Sequence, residues 1–399
     1  MAASPFTFFR GAARIMALDL VATPATGIRP QICGDAHLSN FGAYAAPDRS
    51  LVFDINDFDE TLPGPWEWDL KRLAASLAIA ARNNALDLDE QRSMAAQATA
   101  AYREGMRELA SYSTLDAWYL RVDVDQIIGS IGGHLTKKER KHREKWVEKT
   151  RSKDSLHALK KLGETVDGKT RIASQPPDVI PLRDLASDHH PEALRASIER
   201  SWLAYLSSVP NHIEALLKRF TVADFAVKVV GVGSVGTRGF IALLQGATAD
   251  DVLFLQIKEA KRSVLEEVLP DSPYTDPSQR VVEGQRLMQT ATDSFLGWAT
   301  HAESGHHYYW RQLKDMKGSV DVESMSAARL GRYAGLCGWT LARSHARSAR
   351  ASDIAAYLGK SEVFDVALAD FAVAYADQND RDFAEFTDAI RTGKIRAGE

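Results

Sequence analysis

Two periods of hydrophobic residues alternate along this chain and divide it into segments. Apolar residues recur at helical spacing over 66–109 and again over 325–394. Residues 28–44, 50–60 and 223–318 have a strand-like pattern instead, rich in β-branched and aromatic side chains and interrupted by glycine. The pattern predicts an α+β protein in which the last of these segments forms a small antiparallel sheet.

The stretch 113–222 differs from both of its neighbours. It contains the charge-dense run KKERKHREKWVEKTRSK and the proline-containing segment SQPPDVIPL, which are typical of solvated helices and turns. We interpret it as a helical connector or insertion. The sequence therefore predicts a small lobe over 223–318 and a large helical lobe that is made of 1–112 together with 319–399.

Composition and charge narrow the class of protein. The 399 residues, 45% hydrophobic and 26% charged, are typical of a globular chain with more than one lobe. A formal net charge of −4 gives no general attraction to nucleic acid, and glutamates interleave the basic run as i,i+4 pairs, so we expect no nucleic-acid partner. Two cysteines are too few for a disulfide scaffold. Because no apolar run reaches about 18 residues and the start lacks a leader pattern, we expect a cytoplasmic protein without a membrane partner.

The first candidate site is the loop GDAHLSNFG, in which Asp35 follows a short strand and Asn40 comes five residues later. A second strand ends in FDINDFDE, which contains Asp57. Together they supply a carboxylate to orient a hydroxyl and hard oxygen ligands for Mg²⁺, the inventory that phosphoryl transfer requires. The alternative interpretation is that Asp and Asn simply form turns after strands.

Four acidic residues crowd the end of the second strand within seven positions. Such carboxylates repel one another unless a cation or a basic group lies between them. The crowding therefore favours a metal site over simple turns. The four acids are Asp54, Asp57, Asp59 and Glu60.

The second candidate site is the sequence GVGSVG, which lies between two strand-like runs. A dinucleotide fold would continue from such a motif into a helix, whereas GTRGFIALLQG continues as a strand and indicates a hairpin. A glycine-rich hairpin can cover phosphates with its backbone N–H groups, although an ordinary glycine hairpin is the alternative. The candidate nucleotide contacts are Gly231, Gly233, Ser234 and Gly236.

The third candidate is Lys258, which alternates with apolar residues on the strand LFLQIKEA. It lies one hairpin after the glycine-rich turn, from where an ammonium group can reach phosphates beneath that turn. A lysine at a strand edge can also simply extend into solvent. Glu283, on the following helical segment, is the predicted partner of the lysine, and Glu266 and Glu267 are competing candidates.

The order of these motifs is reversed relative to protein kinases. In kinases the glycine-rich loop and the lysine come first, and the catalytic Asp, the Asn and the metal-binding Asp follow. Here the second set begins the chain. Circular permutation is the simplest explanation, because the termini of compact domains usually lie at the surface.

These motifs resemble those of a bacterial family, domain of unknown function 2252, over nearly the whole chain. GDAHLSNFG, NDFDE, VGVGSVGTR, LQIKEA, VVEGQRLMQ, LCGWTLARSHARS and AYADQN are all similar to its motifs. The local pattern also resembles the aminoglycoside phosphotransferase branch of kinase-like proteins, with Cys33 in place of a histidine and WDLKRLA as the following helix. The spacing from Asp57 to Asp69 favours Asp57 over Asp54 as the metal ligand, and Asp59 is a further candidate ligand.

The resemblance implies a two-lobed, circularly permuted, kinase-like fold that binds ATP and Mg²⁺. It implies these roles: catalytic base Asp35, magnesium ligands Asn40 and Asp57, phosphate contact Lys258 and its partner Glu283. We expect an ATP-dependent phosphotransferase that acts on a hydroxyl of an unknown small molecule or protein. A nucleotide-binding pseudokinase or regulatory module, and an AMP transferase, are the alternatives.

Overall fold

The computed structural model describes residues 1–125, 137–153, 155–185, 191–228, 237–313, 316–318 and 320–395. Helices and antiparallel sheets are both present, as the sequence predicts, and the strands form three two-stranded ladders and one six-stranded sheet. None of the described helices is long and apolar enough to cross a membrane.

The N-terminal part combines helices with two short ladders. β1 pairs with β4 and β2 pairs with β3, each pair antiparallel. The loops between these strands carry the acidic motifs. The elements are α1 (Pro5–Arg10), α2 (Ala13–Leu20), β1 (Gln31–Ile32), β2 (Phe41–Ala45), β3 (Leu51–Ile55), β4 (Leu62–Pro63), α3 (Trp66–Asn83), α4 (Leu88–Leu109) and α5 (Thr114–Tyr119).

The stretch 113–222 is not purely helical, which corrects the prediction. It contains a hairpin, β5 with β6, and a strand, β7, that joins the six-stranded sheet beside β8. Its apolar residues pack on both faces of that sheet, where they complete two hydrophobic clusters. The elements are α6 (Lys137–Arg151), α7 (Ser155–Leu162), β5 (Gly163–Val166), β6 (Lys169–Ile172), β7 (Val179–Pro181), α8 (Pro191–Leu206) and α9 (Asn211–Leu217).

The six-stranded sheet is the small antiparallel sheet that the sequence predicts over 223–318, extended by β7. Its strand order is β11-β12-β10-β9-β8-β7. The central strand β10 is buried along most of its length, because neighbouring strands flank it and the connector covers both faces. The other elements are β8 (Thr221–Lys228), β9 (Gly239–Gln245), β10 (Val252–Ala260), α10 (Pro277–Met288), β11 (Gly297–Thr300) and β12 (His307–Gln312).

The last three helices pack with α3 and α4 around the largest hydrophobic core. They are α11 (Ala327–Ala346), α12 (Ala351–Leu358) and α13 (Val363–Arg391). Helix α1 joins the same layer, since the Phe8 ring lies 5.2 Å from Phe386 and the Asn379 amide donates to the carbonyl of Pro5 at 3.1 Å. The first and last helices therefore pack in the same helical layer. Short 3₁₀ turns occupy Leu38–Asn40, Leu182–Asp184, Val264–Glu267 and Val322–Ser324.

Helix α11 approaches α4 very closely at one glycine. A Cβ atom at Gly338 would lie 2.0 Å from the carbonyl oxygen of Ala98, whereas a Cβ at Gly335, one turn earlier, would meet only the Cβ of Ala101 at 4.0 Å. The absence of a side chain at Gly338 therefore sets the spacing between the two helices.

We predict that Gly338→Ala lowers the free energy of unfolding by about 1–3 kcal/mol, because the helices must separate to admit the methyl group. Gly335→Ala, the matched control, should stabilise the protein by up to about 1 kcal/mol through helix propensity. Urea denaturation of both variants measures the difference. Equal effects of the two substitutions would contradict the close approach.

Candidate functional site

A cleft of about 520 Å³ lies between the acidic loops and the six-stranded sheet. Five of the predicted site residues line it, although Lys258 and Asp59 are 199 positions apart in the sequence. They are Asp35, Asn40, Asp57, Asp59 and Lys258. The fold therefore brings side chains of the N-terminal acidic loops together with a side chain of β10.

The loop that carries Asp35 is held by a buried acid on helix α3. Asp69 accepts hydrogen bonds from the backbone N–H groups of Cys33 at 2.8 Å and Gly34 at 2.9 Å. His345 lies 3.2 Å from the same carboxylate, and its other ring nitrogen lies 2.8 Å from the Tyr102 hydroxyl. Because the side chains of Asp69, Tyr102 and His345 are buried, the network fixes the loop from the interior of the protein.

Gly34 is required for the geometry of this loop. Its φ of +80° lies in the left-handed region, and a Cβ there would lie 2.4 Å from the carbonyl oxygen of Glu60. After the turn, the Asn40 amide donates to the carbonyl of Asp35 at 2.8 Å. Asp35 and Asn40 are thus locked together beside the loop that follows β3.

A buried arginine on α3 holds the carboxylate of Asp35. Arg72 Nε donates to Asp35 Oδ1 at 2.8 Å, and Arg72 Nη2 donates to the carbonyl of Phe9 at 2.7 Å. Sequence reasoning missed Arg72. The signal was a basic residue three positions after Asp69, on the same face of a mostly apolar helix.

His37 lies on the other side of this carboxylate. Its Nε2 is 3.6 Å from Asp35 Oδ2, and only 4% of the residue is exposed. Burial lowers the pKa of His37 to about 4 in spite of the nearby Asp35 charge. The imidazole is therefore neutral at pH 7.

The four crowded acids are kept apart by different partners. Asp54 is buried and pairs with Arg343, away from the cleft. Glu60 accepts hydrogen bonds from the Ser263 hydroxyl at 2.9 Å and the backbone N–H of Val264 at 2.7 Å. Basic, hydroxyl and N–H groups therefore relieve part of the repulsion among these acids, which does not require a metal ion at Asp54 or Glu60.

Asp57 and Asp59 face the cleft with different environments. Both carboxylate oxygens of Asp59 are engaged, one by Lys258 Nζ and the other by the Tyr309 hydroxyl at 2.8 Å. Asp57 lies 3.8 Å from Lys258 and its side chain is 37% exposed. Asp59 is therefore the carboxylate that anchors the lysine, and Asp57 is the more exposed carboxylate of the two.

The buried ammonium group of Lys258 and the neighbouring carboxylates shift each other's pKa. Burial alone would lower the pKa of Lys258, but the carboxylates of Asp57 and Asp59 raise it above its ordinary value. Burial would likewise raise the pKa of Asp57, yet Lys258 and Arg311 lower it to about 2. Lys258 is therefore positively charged and Asp57 negatively charged at neutral pH.

Glu283 is not the partner of Lys258 among the described residues, which corrects the predicted salt bridge. Glu283 Oε1 instead accepts from Arg286 at 3.0 Å, three positions later on α10. The competing Glu267 pairs with Arg14. The nearer carboxylates on the loop after β3 satisfy the lysine, so a helix glutamate is not needed.

Helix α10 holds this loop through an arginine that sequence reasoning missed. Arg280 is buried and donates to the carbonyl oxygens of Thr61 at 2.7 Å, Asp59 at 2.7 Å and Lys261 at 2.9 Å. The contacts with Asp59 and Thr61 fix the backbone on both sides of Glu60. The only signal in the sequence was a basic residue among apolar ones on α10.

The glycine-rich motif lies outside the described residues, and with it the predicted contacts Gly231, Gly233, Ser234 and Gly236. The flanking strands β8 and β9 pair antiparallel, as expected for a hairpin. Thr237, the first described residue after the motif, lines the cleft.

A metal site made by protein ligands alone is not present in the described part of the chain, where no three His, Cys, Asp or Glu side chains are grouped to hold an ion. Mg²⁺ is commonly held by only one or two carboxylates, with substrate phosphates and water completing its shell. The exposed, ionised Asp57 and the neighbouring Asn40 match that requirement.

Comparison with known sequences assigns the family. The model of a family described as an uncharacterized protein conserved in bacteria, domain of unknown function 2252, matches residues 1–389. The chain belongs to this bacterial family. No curated protein and no solved structure matches the chain. The cleft residues all lie within the range that the family model covers.

We predict that Glu60 makes stability depend on pH. Burial raises the pKa of Glu60 to about 7, only partly offset by the N–H of Val264. The folded protein therefore binds this proton more tightly than the unfolded chain does, and the free energy of unfolding falls as pH rises from about 4.5 to about 7. Glu60→Gln should reduce that fall by on the order of 2 kcal/mol.

Urea denaturation between pH 4.5 and 8 measures this change. Glu385→Gln, which alters an exposed glutamate on α13, is the control and should follow the pH dependence of the wild type. If Glu60→Gln also followed it, Glu60 would not be the titrating group.

Proposed function

We propose that this protein is an ATP- and Mg²⁺-dependent phosphotransferase that acts on a hydroxyl group, built on a circularly permuted, kinase-like fold. The observation that carries the proposal is the meeting of Asp35, Asn40, Asp57 and Lys258 in one cleft. Turns after strands need not converge, whereas groups that act on one triphosphate must.

The arrangement of the sheet supports the kinase-like interpretation. The glycine-rich segment connects β8 to β9, and Lys258 lies on β10, the third strand of the same meander. Protein kinases place a glycine-rich loop and a third-strand lysine in these relative positions. The antiparallel sheet and the helical layer correspond to the small and large lobes.

The charge of the cleft suits a polyphosphate. Seven of the described lining residues are Lys or Arg and five are Asp or Glu, whereas the whole chain has a net charge of −4. Positive charge is thus concentrated where phosphates would bind. The cationic residues of the cleft are Arg10, Arg14, Lys258, Lys261, Arg262, Arg311 and Lys317.

Each residue has a defined part in this proposal. Asp57 and Asn40 would hold Mg²⁺, which neutralises phosphate charge when it is bound. Lys258 would contact a phosphate of ATP, and Asp59 with Tyr309 keeps its ammonium in place. Asp35, oriented by the guanidinium of Arg72, would accept the proton of the acceptor hydroxyl.

A nucleotide-binding regulatory module is the second candidate, and one observation favours it. Asp35 is paired with Arg72 and Lys258 is paired with Asp59, so both key groups already have partners. Mass spectrometry of products after incubation with ATP separates the alternatives. ADP and a phosphorylated acceptor indicate phosphoryl transfer, pyrophosphate and an AMP adduct indicate AMP transfer, and unchanged ATP indicates a binding module.

We predict that the protein binds ATP more tightly with Mg²⁺ than without it, and that Asp57→Ala removes most of this difference. The reason is that Asp57 is the open, ionised carboxylate of the cleft. Calorimetric titration with ATP, with and without Mg²⁺, measures both affinities. Asp370→Ala removes an exposed acid on α13 and is the control. Equal metal dependence in Asp57→Ala and the wild type would count against the metal site.

We also predict that Asp35→Ala lowers the rate of phosphoryl transfer by roughly 100-fold or more, because a positioned acid–base group contributes about that much. Its affinity for Mg²⁺ and ATP should remain close to that of the wild type, since Asp57 and Lys258 are retained. Steady-state assays of ADP release, together with calorimetry, test both parts. Unchanged turnover would remove Asp35 from the mechanism.

A further inference from the structure

Arg10 lines the cleft from the end of helix α1 and lacks a partner. No ion pair or hydrogen bond of this guanidinium is formed with any residue in the described ranges, and its Nε is shielded from solvent without an acceptor. A buried N–H of a charged group that is left unpaired costs free energy comparable to a lost charge-assisted hydrogen bond. The group is therefore suited to an anion that enters the cleft.

The other cationic residues of the cleft differ from Arg10, because each already has an interaction within the described structure. Arg14 binds Glu267 at 2.8 Å on the surface. The remaining ones also have neighbours, among them Lys258 with Asp59, Arg262 with Asp271 and Arg311 with Gln256. Lys261 and Lys317 interact as well. Among the cleft residues that the structure describes, Arg10 is thus the cation that stays available for a ligand.

A second unsatisfied polar atom lies on His37, beside the carboxylate of Asp35. His37 is 96% buried, since its exposure is 4%, and its Nδ1 has no hydrogen-bond partner in the described structure. Its Nε2 lies 3.6 Å from Asp35 Oδ2. In the neutral tautomer that carries its proton on Nδ1, an imidazole donates a hydrogen bond from that nitrogen, so His37 can bind an oxygen of an anion.

The backbone that carries Arg10 is fixed relative to Asp35. Arg72 donates to the carbonyl of Phe9 at 2.7 Å, stacks 3.8 Å from the Phe9 ring, and binds Asp35 at 2.8 Å. Ser4 caps the start of α1. The buried guanidinium of Arg72 therefore links Phe9 to Asp35, the candidate catalytic base. Because Arg10 and Asp35 line the same cleft, one small molecule can contact both side chains.

We propose that Arg10 and His37 bind an oxyanion of the acceptor, so that the acceptor is a small hydroxylated carboxylate or phosphate ester. This inference rests on the proposed phosphotransferase function. In the reaction, the acceptor oxygen forms a bond to the γ-phosphorus of ATP while the bond to the ADP oxygen breaks. ADP leaves with that electron pair, and the hydroxyl proton passes to Asp35. The anion at Arg10 places the hydroxyl beside this carboxylate.

Calorimetry with simple oxyanions tests the site. The protein is first saturated with Mg²⁺ and a non-hydrolysable ATP analogue, which occupies the phosphate positions, and is then titrated with inorganic phosphate or with acetate. Three proteins are compared: wild type, Arg10→Gln and the matched control Arg14→Gln. Melting curves verify that both variants fold.

We expect at least one anion to bind the wild type, and Arg10→Gln to weaken that binding about tenfold to 100-fold through loss of a charge-assisted contact. Arg14→Gln should bind the anion as the wild type does, because Arg14 already pairs with Glu267, and Arg10→Gln should weaken binding of the anion far more than binding of the ATP analogue. Preference for phosphate or for acetate tells which kind of oxyanion the acceptor carries.

Three outcomes would overturn the proposal: no anion binding to the loaded wild type, equal binding to wild type and Arg10→Gln, or weakened binding of the ATP analogue alone in Arg10→Gln. The last would assign Arg10 to the nucleotide. Failure of the proposed function is distinguishable, because the wild type would then not bind the ATP analogue. Titration of the nucleotide-free protein would still report whether an oxyanion binds through Arg10.

Discussion

The ion pairs of Lys258 connect the two halves of the structure. Its ammonium is 4% exposed on the central strand of the six-stranded sheet, and a buried charge needs an opposite charge within reach. The nearest carboxylates, Asp57 and Asp59, belong to a loop much earlier in the chain, with Asp59 199 positions before Lys258. The sheet and the acidic loops must therefore face each other, and the cleft between them is the direct consequence.

Three buried arginines support this arrangement from behind the site. Arg72 holds the Asp35 loop and the end of α1, and Arg280 holds the carbonyls on both sides of Glu60. Arg343 binds Asp54 and the carbonyl of Met288. A guanidinium donates in several fixed directions at once, so each arginine can join segments that are far apart in sequence. Lysine at these positions could not replace that geometry.

The sequence is sufficient to predict the mixed fold and the antiparallel sheet, because both follow from hydrophobic period. The meeting of Asp35, Asp57 and Lys258 in one cleft could also be predicted, because the resemblance to kinase-like proteins implies that the three residues act on one ligand. The partner of Lys258 could not be predicted from the sequence. Glu283 and Asp59 are both acids at plausible positions, and only the three-dimensional structure tells that the loop is nearer than the helix.

The connector was misread for a related reason. Its strands β5, β6 and β7 are only four, four and three residues long, and such short segments carry little periodic signal. Strand β7 exists because it pairs with β8, which is a tertiary contact that local sequence does not encode. The same holds for Arg72, which binds Asp35 and the carbonyl of Phe9, and for Arg280, which binds the carbonyls of Asp59 and Thr61.

The proposed function requires that one cleft hold Mg²⁺ and a nucleotide between Lys258 and the two loops that carry Asp35 and Asp57. A crystal structure of the protein with Mg²⁺ and a non-hydrolysable ATP analogue tests it most directly. The account predicts a metal ion about 2 Å from an oxygen of Asp57 and a phosphate oxygen about 3 Å from Lys258 Nζ. A nucleotide bound elsewhere, or a metal ion bound away from Asp57, would contradict it.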